Sequence, residues 1–155
     1  MSEEPFPSWS ALATVYQSVL HDVVAALEEA AGIDSGVFSV LAYLDRAVPP
    51  HRMAMTELQR AMHPRYSQPG FSRLVQRMEA AGLVDRRADR DDRRASVVVT
   101  TRRGRAQFAR ANEVYVEALR EAFGQYARTD EHAALVRVLT AISAQRAERS
   151  DRDLG

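Results

Sequence analysis

Guanidinium groups dominate the stretch from Arg60 to Arg105, which contains twelve arginines and only five acids. Its local net charge is +7, whereas the whole 155-residue chain is neutral, so the remainder must carry −7. Arginine can form bidentate hydrogen bonds with phosphates and base edges. A basic segment within an acidic body is typical of nucleic-acid-binding proteins. This stretch therefore predicts contact with a nucleic acid.

Other chemistry has weaker support in the sequence. The chain has no cysteine, so disulfides and thiol chemistry are excluded, and no glycine-rich phosphate-binding loop is present. The adjacent acids Asp91 and Asp92 lie among arginines, which disfavours the protonated carboxyl that acid catalysis needs. Four histidines are scattered without the spacing of a metal site: His21, His51, His63 and His132. We expect no enzyme activity, no cofactor and no local metal site, although histidines of two copies could still meet.

Residues 67–81 have the period of a helix with defined ends. Ser67 is placed to cap it, Pro69 falls in its first turn, and Gly82 can adopt the left-handed conformation that ends a helix. An apolar stripe should face a core: Phe71, Leu74, Val75 and Met78. The opposite face is polar: Gln68, Ser72, Arg73, Gln76 and Arg77. Such side chains can read base edges in a major groove; the alternative is an ordinary amphipathic helix with a solvated arginine face.

A β-hairpin is predicted directly after this helix. Residues 84–88 and 96–100 alternate in the manner of two strands, and the six residues between them, 89–94, are all charged. Such a tip has nothing to bury and must project into solvent or into a groove. We expect Asp92 to orient a neighbouring arginine that enters the narrow minor groove of DNA. The alternative is a solvated hairpin whose exposed ion pairs contribute little.

The order of these motifs resembles the winged helix-turn-helix of the MarR family of bacterial transcriptional regulators. The matching segments are MTELQRAM, SQPGFSRLVQRMEAAGLVDRR and DDRRASVVVTTRRG. The resemblance implies that residues 67–81 are the recognition helix and residues 83–100 the wing. It also implies a set of DNA-binding residues: Arg65, Ser67, Gln68, Ser72, Arg73, Arg77, Asp92, Arg93 and Arg94. Of these, Gln68, Ser72 and Arg73 would lie nearest the bases, Arg65 and Arg77 near phosphates, and Arg94 in the minor groove.

Two positions depart from the family pattern, and one position fits it. Thr100 stands where the family usually has a leucine, which weakens the junction between strand and helix. Gly70 lowers helix propensity in the first turn by up to about 1 kcal/mol relative to Ala; it either allows close approach to DNA or is merely tolerated. Thr101 is expected to cap the long helix that follows the wing.

Further helices are predicted on both sides of the winged lobe. The first spans residues 8–31 and ends at Gly32; the second spans 35–46. Residues 53–55 form a short strand, and Thr56 caps a helix over 57–63. After the wing, a helix over 102–127 is bent at Gly124, and Thr129 or Asp130 caps a last helix.

The expected fold is α+β and mostly helical, in one MarR-like domain covering 1–155. The winged helix-turn-helix lobe covers 35–101, and residues 8–31 and 102–150 are mainly dimerisation helices. Their apolar faces are wider than one packing seam requires, so a homodimer is expected. Such a dimer would present two recognition helices roughly 34 Å apart to a pseudo-palindromic site on double-stranded DNA.

The resemblance also allows a small aromatic effector. Five aromatic side chains could line its pocket: Trp9, Tyr16, Phe38, Tyr43 and Phe108. The alternative is that they are core residues. No signal peptide and no apolar run as long as a membrane span are expected, so a cytoplasmic location without membrane contact is predicted. The function expected is transcriptional regulation, as a repressor; the alternative is a winged-helix protein-interaction or assembly module without an operator.

Overall fold

The computed structural model describes residues 7–89 and 95–153. The chain divides into two compact units, Met1–Ala118 and Leu119–Gly155, each described by itself. Six α-helices and three strands are found in the described ranges: α1 Pro7–Ala26, continued by a π-helical turn Leu27–Ala31; α2 Ser35–Arg46; β1 Arg52–Ala54; α3 Met55–Met62; α4 Gln68–Ala80; β2 Val84–Ala88; β3 Ser96–Thr100; α5 Arg102–Phe123; α6 Asp130–Asp153. The predicted α+β, mostly helical winged fold is confirmed.

The core of the first unit lies between α2, α3, α4 and the sheet. The apolar stripe predicted for α4 is fully inside it, with Phe71 and Val75 showing no exposed surface. Facing this stripe are buried side chains of the other elements: Val40, Leu41, Leu44, Leu58, Met62, Val84 and Val98. Burying one such side chain contributes roughly 1.5–3 kcal/mol. The stripe therefore fixes which face of α4 remains outside.

The three strands form one antiparallel sheet in the order β1-β3-β2. The hairpin register pairs Val84 with Thr100 and Arg86 with Val98. The strand β2 is buried only at its start, and Arg86, Arg87 and Ala88 are exposed. The hairpin therefore leaves the core as it approaches its tip, as the charged sequence predicts.

The C-terminus of α4 follows the prediction in detail. Gly82 has a φ of 68°, the left-handed conformation that glycine adopts at low cost. Its N–H donates to the carbonyl of Glu79 at 2.9 Å, and the N–H of Leu83 donates to the carbonyl of Met78 at 2.9 Å. These two bonds make a Schellman motif, which turns the chain directly from helix into strand β2.

Two predicted helix boundaries are wrong. Thr56 was expected to cap α3, but the helix begins one residue earlier, at Met55, with Ala54 at the N-cap and no side-chain cap. Strand β1 ends at Ala54, so the strand-to-helix junction leaves no room for a separate capping turn. Gly124 does not bend α5; the helix ends before it, at Phe123.

The link from the wing to α5 explains why a glycine, Gly104, stands three residues after the capping Thr101. The hydroxyl Oγ1 of Thr101 accepts from the N–H of Gly104 at 2.9 Å, which caps the helix as predicted. The same Oγ1 donates to the carbonyl of Gly82 at 2.7 Å, on the turn that ends α4. A Cβ at Gly104 would lie 2.0 Å from the carbonyl oxygen of Leu83, so only glycine allows this approach.

The first helix is more apolar than expected. Together with its π-helical turn it spans Pro7–Ala31 and is long and apolar enough to cross a membrane by length and composition, contrary to the expectation from the sequence. That criterion is weak evidence, because helices of soluble proteins also meet it. The helix carries Asp22, Glu28 and Glu29, which are costly in a bilayer.

The second unit contains α6. Its N-cap is Thr129, whose Oγ1 accepts from the N–H of His132 at 3.1 Å. Four large apolar side chains of α6 are about half exposed: Leu135, Val136, Val138 and Ile142. In the first unit, α1 likewise exposes Trp9, Leu12, Val15 and Tyr16. Each helix therefore has large apolar side chains that are exposed on its own unit.

Candidate nucleic-acid interface

The outer face of α4 carries the predicted base-reading side chains. Gln68 and Arg73 are exposed and Ser72 is half-buried, whereas the opposite stripe is in the core. Ser67 is exposed at the N-cap, where its Oγ accepts from the N–H of Gly70 at 3.2 Å. The structure thus places these predicted residues on the N-terminal half of one helix.

Arg65 lies on the turn before α4 and is held against α2. Its Nη1 donates to Oγ of Ser39 at 3.4 Å, and its Nη2 donates to Oγ of Ser35. The guanidinium carbon lies 5.9 Å from the ring centroid of Tyr66. Because these partners are neutral, the positive charge of Arg65 is oriented without being neutralised.

Arg77 is placed differently. Its Nη2 lies 3.5 Å from Oδ2 of Asp34, and the two side chains are 66% and 41% exposed. The other oxygen of Asp34, Oδ1, accepts from the N–H groups of Gly36 and Val37 at 2.9 Å each and caps α2. One carboxylate therefore caps α2 and neutralises a predicted phosphate-binding arginine on α4.

The wing is attached to the recognition helix by Glu79. Its Oε2 accepts from Nε of Arg86 at 3.0 Å, and its Oε1 accepts from the backbone N–H of Arg86 at 3.3 Å. Because β2 is an edge strand, this N–H would otherwise face solvent. Further along β2, Arg87 pairs with Asp85 at 2.9 Å. The three predicted tip residues, Asp92, Arg93 and Arg94, lie outside the described residues.

Sequence reasoning missed Ser35, Ser39, Asp34 and Glu79. Glu79 is the only acid in the recognition helix, and that was the one available signal. Asp34 and the two serines lie 26 or more residues before their partners in the chain, and nothing local relates them.

The five aromatic residues of the predicted effector pocket lie in two different environments, some packed and some exposed to solvent. Phe38 is buried and stacks on Phe108, with ring centroids 5.7 Å apart. Its ring centroid lies 4.8 Å from that of Tyr115. The hydroxyl of Tyr43 donates to the carbonyl of Ala61 at 3.2 Å, on α3. In contrast, 68% of Trp9 and 63% of Tyr16 is exposed. The described part of a single chain therefore does not gather these five side chains around one cavity.

Metal chemistry has no visible site in the described ranges. No group of three or more His, Asp or Glu residues that could hold a metal ion occurs within residues 7–89 and 95–153. The outer face of α4 carries amide, hydroxyl and guanidinium groups, which can form hydrogen bonds and charge pairs.

Comparison with known proteins agrees with this geometry. The family model described as MarR family matches residues 31–95. The chain is similar to AbsC, a MarR family transcriptional regulator from Streptomyces coelicolor, with 22% identity, a TM-score of 0.82, and coverage of 96% of this chain and 97% of that chain. No curated protein sequence matches the chain.

Two further similar structures contain DNA. One is a second MarR family transcriptional regulator from Streptomyces coelicolor in complex with DNA, with 22% identity, a TM-score of 0.78, and coverage of 92% of this chain and 88% of that chain. The other is a mutant MarR from E. coli complexed with operator DNA, with 20% identity, a TM-score of 0.68, and coverage of 90% and 99%. At these identities the likeness shows the fold.

Proposed function

We propose that the protein is a sequence-specific, DNA-binding transcriptional regulator of the MarR type, and the match of the MarR family model to residues 31–95 supports this proposal. One observation carries the proposal. The front of α4 exposes Gln68 and Arg73 on a helix whose other face is fixed in the core. Similar structures were solved with DNA, which supports double-stranded DNA as the partner.

Base recognition is assigned to Gln68, Ser72 and Arg73 in the major groove. Glutamine can bond both hydrogen-bonding groups of adenine, arginine can bond guanine bidentately, and serine can bond either base. Ser67 lies beside them at the helix N-terminus, where free N–H groups and the helix dipole favour phosphate. Arg65 and Arg77 bind the phosphates on either side, which fixes the register of α4 in the groove.

The wing is assigned to the adjacent minor groove. Arg86 and Arg87 are exposed along β2, the strand that leads towards the tip. At the tip, Arg94 enters the narrow groove, Asp92 orients it, and Arg93 contacts the backbone. Negative potential is concentrated in narrow minor grooves, so a guanidinium is favoured there.

The functional unit in this proposal is a homodimer. Apolar side chains left exposed on α1 and α6 would be covered by a second copy, since contiguous exposed apolar patches mark interaction surfaces. A two-fold dimer places two α4 helices about one turn of DNA apart and accounts for a pseudo-palindromic operator. The protein would act as a repressor in the cytoplasm.

A small aromatic effector would require both copies. Because Trp9 and Tyr16 are exposed while Phe38, Tyr43 and Phe108 pack in or against the core of the first unit, a pocket using all five needs the partner to cover α1. Binding there would change the spacing of the two recognition helices and release the DNA.

The test is selection of genomic fragments bound by the purified full-length protein. We expect a two-fold-symmetric motif with half-sites about 10 base pairs apart. Affinity for the motif should fall steeply with salt, because several phosphate contacts release counterions. Recovery of no motif, together with little salt dependence, would refute the proposal and favour a winged-helix module that binds protein.

Two substitutions separate base reading from groove insertion. Arg73→Ala should lose preference at particular bases, costing roughly 1–3 kcal/mol at the affected position. Arg94→Ala should weaken binding with only modest loss of preference. Binding isotherms on the selected motif and on single-base variants measure both, with Arg137→Ala on α6 as the control. If both variants bind like the parent protein, this docking arrangement is wrong.

A further inference from the structure

The N-terminal end of α2, with its N-cap, contacts both of the arginines assigned to phosphates, but in opposite ways. Ser35 and Ser39 hold Arg65 through neutral hydroxyls. Asp34 contacts Arg77 through a full negative charge, with Oδ2 and Nη2 3.5 Å apart. A guanidinium paired with a carboxylate is less available to a phosphate, because the two anions compete for the same N–H donors.

The ion pair of Asp34 and Arg77 is open to solvent. Both side chains are substantially exposed, so the pair adds little to the stability of the fold. Asp34 does have a structural function, but its other oxygen performs it by capping α2 at Gly36 and Val37. Oδ2 of Asp34, the oxygen that contacts Arg77, takes no part in the helix cap. It can therefore affect DNA binding independently of the cap.

We infer that Asp34 limits the affinity of the protein for DNA by competing with a backbone phosphate for Arg77. This inference rests on the proposed function and adds a residue that lowers the affinity for DNA. Because phosphate contacts carry no base information, Asp34 reduces binding to operator and to unrelated DNA by the same factor. The effect suits a regulator that must be released from its site.

The experiment compares the parent protein with Asp34→Asn. Asparagine is as good an N-cap as aspartate and keeps an oxygen acceptor for the two N–H groups of α2, so the fold is retained. We expect Asp34→Asn to bind about two- to fivefold more tightly, the range of an exposed ion pair. The increase should be equal on the selected motif and on scrambled DNA. The slope of log K against log salt should steepen by up to about one.

A double-mutant cycle with Arg77→Gln shows whether the effect passes through Arg77. Asp34→Asn should have no effect on affinity in the Arg77→Gln background. Asp45→Asn is the matched control. It removes the same charge from the far end of α2, about 16 Å away along the helix and beyond the Debye length at physiological salt, and should leave affinity unchanged.

Several results would overturn the inference. Weaker binding by Asp34→Asn would mean that the pair orients Arg77 productively. Equal tightening in the presence and absence of Arg77 would mean that Asp34 repels phosphate directly. Tightening by Asp45→Asn would mean a general charge effect. If the parent protein itself binds no DNA specifically, the proposed function fails first and the inference fails with it.

Discussion

Substituting Gly104 by alanine tests the contact between α5 and the wing, because helix propensity and tertiary structure predict opposite signs. Propensity alone favours alanine by up to about 1 kcal/mol in a helix. In the structure a Cβ at this position would lie 2.0 Å from the carbonyl oxygen of Leu83 and 3.0 Å from Cγ2 of Thr100. A real Cβ essentially never comes within 3.0 Å of a non-bonded heavy atom from a residue that is not its chain neighbour. The start of α5 must therefore move away from Leu83 by about 1 Å.

This displacement breaks the hydrogen bonds that join the start of α5 to the turn after α4. The N–H of Thr101 donates to the carbonyl of Leu83 at 3.1 Å, and its hydroxyl donates to the carbonyl of Gly82 at 2.7 Å. Each lost bond costs about 1 kcal/mol and overpacking costs a similar amount, whereas helix propensity returns up to about 1 kcal/mol. We therefore expect Gly104→Ala to lower the free energy of unfolding by about 2–3 kcal/mol. For a chain of this size that corresponds to a fall in Tm of roughly 4–12 °C.

Thermal unfolding followed by circular dichroism measures this, at matched protein concentrations because a dimer would unfold in a concentration-dependent way. The control is Gly32→Ala. Gly32 has a φ of 64°, and no atom lies within 4 Å of the position that a Cβ would occupy, so alanine there meets only the left-handed backbone cost of about 1 kcal/mol. A Gly104→Ala protein as stable as the parent, or more stable, would refute the close approach of α5 to Leu83.

Three further changes have expected outcomes. Thr100→Val should raise the free energy of unfolding by about 1 kcal/mol in denaturant titration, because in the described ranges the buried Oγ1 has no hydrogen-bond partner. Val138→Glu should convert a dimer into monomers in light scattering, because Val138 is 56% exposed on the apolar face of α6. Replacing Ser35 and Ser39 by alanine should weaken DNA binding while leaving the salt slope unchanged, because Arg65 keeps its charge but loses its orientation.

Each of these changes has a matched control. Thr101→Val replaces a hydroxyl by a methyl group, as Thr100→Val does. It should nevertheless destabilise the protein by roughly 0.5–2 kcal/mol, because it removes a helix cap. Arg137→Glu alters the charge of α6 beside Val138 and should leave the proposed dimer intact. Arg65→Ala, unlike the serine variants, should reduce the salt slope by about one. Similar results for a variant and its control would contradict the assigned contact.

The sequence by itself determined the features that depend on neighbours in the chain. The period of the apolar residues fixed the buried face of α4, and Gly82 fixed its end, because caps and side-chain stripes involve residues only three to five positions apart. The hairpin followed from alternation around a charged tip. The same local reasoning failed at Thr56, where the preceding strand β1 runs directly into α3 and tertiary placement outweighs a capping preference.

Only the tertiary structure decided the contacts that adjust the candidate interface. The placement of β3 between β1 and β2 makes β2 an edge strand, and its Arg86 N–H is therefore available to Glu79. The path of α2 past the turn before α4 brings Ser35 to Arg65, and Asp34 on the same turn reaches Arg77. Residues so far apart in the chain meet only because burial of the common core fixes the helices relative to one another, and no local preference of the sequence specifies that geometry.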